Sequence, residues 1–193
     1  RANFFTFIQH PFITFGNGFW RPFFNLWKNI LYFFFGENAV PYHAVSIALH
    51  ALNGCLIWVF LQRRNPSGWN LCGPLLFTVY PVAWQAVAWI STMSDLLVAA
   101  CMLASSLVFM QACQTGSLKK LTAAGVLGVC ALPIKECGVA AIPLLGLLYI
   151  EQIARRDESK LKLPAAIPFF IVAGLVLILY LFFTTHHVRL AAG

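Results

Sequence analysis

The side chains that could carry chemistry in this chain are a few charged residues between long apolar runs. Of its 193 residues, 13 are Lys or Arg and 6 are Asp or Glu. Four of the charged residues at the boundaries of the apolar runs are candidates for a site: Arg21, Asp95, Lys135 and Glu136. Arginine binds a phosphate through two parallel hydrogen bonds and lysine as a point charge, whereas a carboxylate serves as a general base or holds a divalent cation. The two cations are therefore candidates for binding the phosphate of a lipid head group, and the two acids are candidate catalytic groups.

Each of these positions also has a purely structural explanation. Asp95 and Glu136 lie at the starts of predicted helices, where a negative charge interacts favourably with the helix dipole. Lys135 could pair with its neighbour Glu136. Arg21 and Lys28 could extend towards lipid phosphates, as interfacial cations do in many membrane proteins. The residues alone leave both explanations open.

A stripe of polar residues lies inside the first long apolar run. Ser46, His50 and Asn53 recur at i, i+4 and i+7, which places them on one face of a helix. Such side chains commonly form hydrogen bonds between helices in a membrane, and we favour that explanation. The alternative is a polar wall of a substrate cavity, to which Gln85 would also contribute.

The composition is that of a helical membrane protein. Hydrophobic residues make up 60% of the chain and charged residues 10%, whereas about a quarter of a soluble domain is charged. The apolar runs are long and do not alternate, so they predict an all-α polytopic transmembrane bundle. The net charge of +7 lies in loops and indicates membrane topology, so no nucleic-acid partner is expected. The six cysteines have no CxxC spacing, and no metal site is predicted.

These runs divide the chain into an interfacial segment, a membrane domain and a tail. Residues 1–41 are rich in Phe but interrupted by Pro and Gly, and we expect one or two helices lying in the membrane interface, the second from about Pro22 to Phe35. Residues 42–185 form the transmembrane domain, and residues 186–193 form an outer tail that is expected to be truncated. Six spans are predicted, at about residues 42–61, 71–82, 95–113, 121–132, 138–150 and 164–183.

Charge decides the topology of these spans. A break at Pro133, followed by Lys135 and Glu136, separates the fourth span from the fifth. A charge pair at the bilayer centre is costly, so a hairpin is favoured over one kinked helix. With that hairpin, most basic residues of the short loops fall on one side, which the positive-inside rule makes cytoplasmic. Residues 1–41 and the stretch Tyr80–Asp95, a short re-entrant or surface helix, then lie on the outer side of a bacterial inner membrane or the luminal side of the endoplasmic reticulum.

An ordered series of short motifs resembles a known family. The motifs are Trp20-Arg21-Pro22, Tyr42-His43, Leu49-His50-Ala51-Leu52-Asn53, Pro81-Val82, Gln85-Ala86-Val87-Ala88-Trp89-Ile90, Asp95-Leu96-Leu97 and Lys135-Glu136. In this order they resemble the GT-C-fold membrane glycosyltransferases, most of all the transmembrane and tetratricopeptide-repeat O-mannosyltransferases and their bacterial relatives. The resemblance extends from about Trp20 to Glu151. It implies a GT-C-like bundle whose first outer loop contains interfacial helices.

The resemblance also implies a chemistry. The donor would be a sugar linked to polyprenyl or dolichyl phosphate, and the sugar, with mannose as a candidate, would pass with inversion to an acceptor hydroxyl. The family's catalytic acid lies in the first outer loop, upstream of the position of Arg21. Residues 1–20 contain no Asp or Glu, so this acid is expected either before Arg1 or to have been lost.

Several positions depart from the family pattern. Tyr80 stands where the family usually has His, and Gln85 where it often has Glu. Met93 and Ser94 replace a basic pair, and Ser46 replaces an Asn. Losing charges of a low-dielectric site reduces catalysis severely, so two hypotheses follow. The chain is either a partial glycosyltransferase core, with a divalent cation as a conceivable cofactor, or a degenerate, non-catalytic transmembrane subunit with protein partners in a larger membrane complex.

Overall fold

The structure is a computed structural model that describes residues 21–80, 83–154, 167, 169–171, 173–180 and 182. Within these residues the chain is predominantly helical and contains no strand, as the all-α prediction requires. We number its helices α1 (Pro22–Phe35), α2 (Ala39–Arg64), α3 (Cys72–Val79), α4 (Ala83–Ala88), α5 (Met93–Thr115), α6 (Leu118–Ala131) and α7 (Ala141–Ala154). A further apolar helix, α8, runs over Phe169–Tyr180. Short 3-10 turns precede α3, α5 and α7, at Gly68–Leu71, Ile90–Thr92 and Glu136–Ala140.

Within the described residues, three stretches are long and apolar enough to cross a membrane: Ala39–Arg64, Ile90–Thr115 and Glu136–Ala154. The expected number of about six spans is not confirmed in the part of the chain that the structure describes. The predicted second span is the clearest difference, because α3 has only 8 residues. It ends at an extended Tyr80 (φ −63°, ψ 124°), and Tyr80 precedes Pro81, whose ring disfavours the α conformation in the residue before it.

The predicted hairpin of α6 and α7 is present. Leu121 and Ala124, near the start of α6, share one core with Leu148 and Tyr149, in the second half of α7. The two helices are therefore antiparallel, and the turn between them lies at the other end. Gly138 makes that turn tight, because a Cβ there would lie 2.4 Å from the backbone of α6.

Two hydrophobic cores lie at opposite ends of the bundle. We call the core at the end away from the α6–α7 turn the opposite-end core. It joins α5, α6 and α7 and consists of Phe109, Ala112, Cys113, Leu121, Ala124, Leu145, Leu148 and Tyr149. The loop-end core lies beside the α6–α7 turn and consists of Phe24, Leu31, Tyr42, Met93, Val98, Ala131 and Ile134. Because the loop-end core includes residues of α1, it attaches that helix to the bundle.

Helix α1 has the two-sided character expected of an interfacial helix. Phe24 and Leu31, seven residues apart, are both buried, whereas Phe33 and Phe34 are 67% and 69% exposed. The helix ends at Gly36, whose φ of 57° is a value that glycine adopts readily. The hydroxyl of Tyr42 donates to the carbonyl oxygen of Gly36 at 2.8 Å, which fixes the turn into α2.

Helix α5 begins two residues before the predicted start of the third span. The helix begins at Met93, so Ser94 lies within its first turn, and the side chain of Ser94 is buried. The hydroxyl of Thr92 instead donates to the carbonyl oxygen of Trp89 at 2.6 Å. This bond closes the turn between α4 and α5, and Asp95 lies in the first turn of α5.

Candidate functional site

The four charged residues singled out in the sequence meet at the loop end of the bundle. Arg21 donates from Nε to Oε1 of Glu136 at 2.9 Å and from Nη2 to Oε2 at 2.7 Å. Lys135 donates from Nζ to Oδ1 of Asp95 at 2.5 Å. We call these four residues the ion-pair cluster. It joins the N-terminus of α1, the first turn of α5 and the turn between α6 and α7.

The alternative pairing of Lys135 with its neighbour Glu136 is not found. The backbone of Lys135 is extended, with φ −160° and ψ 150°, and successive side chains of extended backbone point to opposite sides. Lys135 therefore reaches α5, whereas Glu136 reaches α1. The two adjacent charges bridge different elements.

Helix α1 positions Arg21 through contacts near its N-terminus. Pro22 begins the helix, where its fixed φ is favourable and its missing N–H costs nothing. The backbone N–H of Phe23 donates to the carbonyl oxygen of Pro133 at 3.1 Å. One turn further on, the indole N–H of Trp27 points at Sδ of Met93 at 3.0 Å. Together with burial of the α1 face, these contacts place Arg21 over the α6–α7 turn.

The α6–α7 turn holds the other half of the cluster. The N–H of Lys135 donates to the carbonyl oxygen of Ala131 at 3.3 Å, and the N–H of Gly138 donates to the carbonyl oxygen of Lys135 at 2.9 Å. The close approach of Gly138 to α6 fixes the start of the 3-10 turn. Lys135 and Glu136 are thus presented from backbone that has little freedom to move.

The ion-pair cluster is accessible from outside. The side chains of Arg21 and Glu136 are 23% and 39% exposed, and those of Lys135 and Asp95 are 27% and 39% exposed. A ligand at the surface can therefore reach both pairs. Partial burial also strengthens their electrostatic interactions relative to fully exposed pairs.

A third cation, Lys28, lies near the ion-pair cluster. The hydrogen bond to Glu136 raises the pKa of Arg21 against the opposing effect of burial, and the charges of Glu136 and Asp95 raise it further. Arg21 consequently stays protonated throughout the accessible pH range. Partial desolvation, followed by the charge of Arg21, lowers the pKa of Lys28. Lys28 lies over the ring of Phe24, 5.0 Å from its centroid.

The predicted polar stripe on α2 serves mainly to join helices. Asn53 donates from Nδ2 to the carbonyl oxygen of Leu96 in α5 at 3.0 Å. His50 has Nε2 3.4 Å from the carbonyl oxygen of Thr78 in α3. Ser46 is fully buried, and its Oγ has no hydrogen-bond partner among the residues that the structure describes. The favoured explanation, hydrogen bonding between helices, thus accounts for Asn53 and His50.

Gln85 is the fourth residue of the predicted cavity wall. Its side chain is exposed, and its carbonyl oxygen accepts the hydroxyl of Thr92 at 3.0 Å. Among the described residues, no three His, Cys, Asp or Glu side chains come together as metal ligands would. Because Asp95 and Glu136 each already pair with a cation, we derive no step through a divalent ion.

Two residues that contribute to the loop end of the bundle were not predicted from the sequence. Trp27 fixes α1 against α5, and Tyr180 at the end of α8 lies close enough to Glu136 and Arg21 to interact with them electrostatically. The expected topology contained a signal for Tyr180, because it places the end of the last span on the same side as residues 1–41. Nothing in the sequence separated Trp27 from the many other aromatic residues of the first segment.

One known protein shows similarity over most of this chain. The protein O-mannosyl-transferase Tmtc1 of Drosophila melanogaster is 28% identical over 151 residues, which cover 77% of this chain but 18% of that relative. The chain thus spans less than a fifth of the relative's length. No protein-family model matches the chain, and no solved structure matches it. The similarity supports a distant relationship to glycosyltransferases, and the three apolar stretches indicate a membrane protein.

Proposed function

We propose that this chain supplies the donor-binding part of a GT-C-type membrane glycosyltransferase. The donor would be a sugar, with mannose as the first candidate, linked to polyprenyl or dolichyl phosphate, and the acceptor would be a hydroxyl group. The observation that carries the proposal is the ion-pair cluster. Two cations from distant parts of the sequence meet there on an accessible surface, and a third cation, Lys28, lies near Arg21. An anion is the ligand that such a surface favours.

The place of the cluster favours an anion carried by a lipid. The cluster lies where two of the apolar stretches begin, because Asp95 is near the start of Ile90–Thr115 and Glu136 is the first residue of Glu136–Ala154. The exposed Phe33 and Phe34 of α1 suit the boundary between hydrocarbon and head groups. A phosphate attached to an isoprenoid chain would reach the cluster at this depth. In the proposed topology, residues 1–41 face the outer or luminal side.

The carboxylates have a role once phosphate has bound. A phosphate that takes a cation from its partner leaves that acid free to accept a hydrogen bond. Asp95 or Glu136 would then orient the acceptor hydroxyl or the sugar. Transfer also needs a general base, and by the family resemblance that acid precedes Arg21. The proposal therefore assigns donor binding and orientation to the cluster, and proton abstraction to an upstream carboxylate.

Matched ligands test this proposal. The purified chain in dodecyl maltoside would be titrated calorimetrically with citronellyl phosphomannose and, separately, with citronellyl mannoside, which has the same chain and sugar but no phosphate. We expect saturable binding of the first ligand only, weakened about tenfold in Lys135→Gln through loss of a charge-assisted contact. Equal binding of the two ligands would reject the proposal.

A second function is favoured by one feature of the same cluster. In the structure, both cations of the cluster are engaged by carboxylates, and the pairs join α1, α5 and the α6–α7 turn. A non-catalytic subunit that packs against partners in a membrane complex would need the same contacts. On this alternative, Asp95→Ala and Lys135→Ala weaken complex assembly, measured by co-purification, while wild-type protein binds no citronellyl phosphomannose. Normal assembly of both variants would exclude it.

A further inference from the structure

We infer that the two ion pairs have different roles, with Arg21–Glu136 acting as a clasp that holds α1 on the α6–α7 turn, and Lys135 acting as the group that leaves Asp95 to bind phosphate. This inference rests on the proposed function and deepens it. Arg21 becomes a positioning residue, and Lys135 becomes the phosphate ligand. The sequence pattern alone gave both cations the same role.

The geometry of the two pairs differs. Arg21 uses two nitrogen atoms on both oxygens of Glu136, at 2.9 and 2.7 Å. This fork fixes the relative orientation of the two groups as well as their distance. Lys135 has one contact, from Nζ to a single oxygen of Asp95. An ammonium group has three N–H donors on a flexible stem, so Lys135 can turn to a new acceptor by rotating its own side chain.

The backbone around Arg21 supports the clasp. Its ion pair acts beside the Phe23–Pro133 backbone hydrogen bond and the Trp27–Met93 contact, and all three attach the N-terminal half of α1. Releasing Arg21 to a ligand would therefore remove one of the contacts that dock α1. Releasing Lys135 breaks a side-chain contact only, because the backbone hydrogen bonds of the turn remain.

When Lys135 moves from Asp95 to a phosphate, the other charges of the site remain in favourable positions. When Lys135 turns to a phosphate, Asp95 loses its cation and becomes available to accept a hydrogen bond from an acceptor hydroxyl. Arg21 and Lys28 stay where they are and keep a positive potential beside the bound anion. Arg21 thus stays paired with Glu136 and supports phosphate binding from a fixed position.

A charge exchange across the clasp separates the two roles. Thermal unfolding and calorimetric titration with citronellyl phosphate would be measured on the chain in dodecyl maltoside. The variants are Arg21→Glu, Glu136→Arg, the double variant with both changes, and Lys135→Gln, with Glu151→Gln at the opposite end as the matched control. The double variant keeps the pair with its two ends exchanged, and its glutamate at position 21 lies near Lys28, the cation whose pKa the charge of Arg21 lowers in the wild-type protein.

The expected pattern is specific. Each single clasp variant lowers the melting temperature and weakens binding, and the double variant recovers both, with an affinity within about threefold of wild type if the pair acts as a unit. Lys135→Gln weakens binding about tenfold with a smaller change in melting temperature. Glu151→Gln leaves the affinity unchanged.

Other outcomes identify which idea is wrong. A double variant that regains its melting temperature but not its affinity makes Arg21 a ligand and overturns the clasp, while the proposed function stands. A double variant that regains neither also overturns the clasp. Unchanged affinity in Lys135→Gln overturns the role of Lys135. Wild-type protein that binds no citronellyl phosphate overturns the proposed function and the inference together.

Discussion

The two ends of the bundle both contain ion pairs, but these pairs join different kinds of partner. At the opposite end, Arg64 of α2 pairs with Glu151 of α7, next to a core in which the buried ring of Phe109 meets Tyr149 edge to face, with centroids 6.4 Å apart. At the loop end, the cluster joins a short helix and a turn to the start of α5. Charge therefore adds to existing packing at both ends, but only at the loop end does it also fix the position of a short helix and a turn.

The largest expected effect lies in the opposite-end core. Phe109→Ala removes a fully buried ring, and we expect it to cost about 3–5 kcal/mol of unfolding free energy. Binding of citronellyl phosphate by the folded protein should not change. The control is Phe34→Ala at an exposed position, and unfolding in dodecyl maltoside is the measurement. A lost affinity in folded Phe109→Ala protein would show that the two ends are coupled.

Gly138→Ala should be the most damaging small change at the loop end. The new methyl group would lie 2.4 Å from the backbone of Ala131, and such overpacking costs about 1–3 kcal/mol. Because the turn presents Lys135, affinity for citronellyl phosphate should fall as well. Gly68→Ala is the matched control, since nothing lies within 4 Å of a Cβ at Gly68. Equal melting temperatures for the two variants would contradict the account of the turn.

Neutralising one acid at each end compares the ends directly. Glu136→Gln and Glu151→Gln each remove one partner of a half-exposed pair, and we expect each to cost about 0.5–1 kcal/mol of stability. Only Glu136→Gln should weaken phosphate binding, by about threefold, because it loosens α1. Calorimetric titration of both proteins checks this. A weaker affinity in Glu151→Gln would remove the distinction between the ends.

The smallest expected effect concerns the indole of Trp27. Trp27→Phe keeps an aromatic ring but removes the N–H that points at Met93, and we expect a loss of about 0.5 kcal/mol. The melting temperature should fall slightly and more than in Trp89→Phe, whose ring is exposed. Identical melting temperatures for these two variants would mean that the N–H contact with sulfur contributes nothing.

Local signals predicted the elements that hold the site. Pro22 and Gly36 mark the limits of α1, and those limits agree with the structure. Pro133 marks the break between α6 and α7, and the cost of charge at the bilayer centre correctly favoured the hairpin. Topology then brought the four charged residues to one end, which is where the structure has them.

The sequence did not predict which of the distant charged residues form ion pairs. Arg21 and Glu136 are 115 residues apart, and Lys135 and Asp95 are 40 apart, whereas the adjacent Lys135 and Glu136 looked like natural partners. Only the extended backbone at Lys135 directs these two side chains to different partners, and no residue type in the sequence predicts that extended backbone. The predicted second span was too long for a similar reason, because hydropathy continues past Tyr80 although the helix does not.

The most direct test of the central claim is a ³¹P NMR titration of citronellyl phosphomannose with the chain in phospholipid-free micelles. The account predicts a saturable change in the phosphorus chemical shift for wild type and for Glu151→Gln, and a strongly reduced response for Lys135→Gln. That result would place the phosphate beside the cluster. A shift that is the same in Lys135→Gln as in wild type would contradict the account, because the anion would then be bound elsewhere.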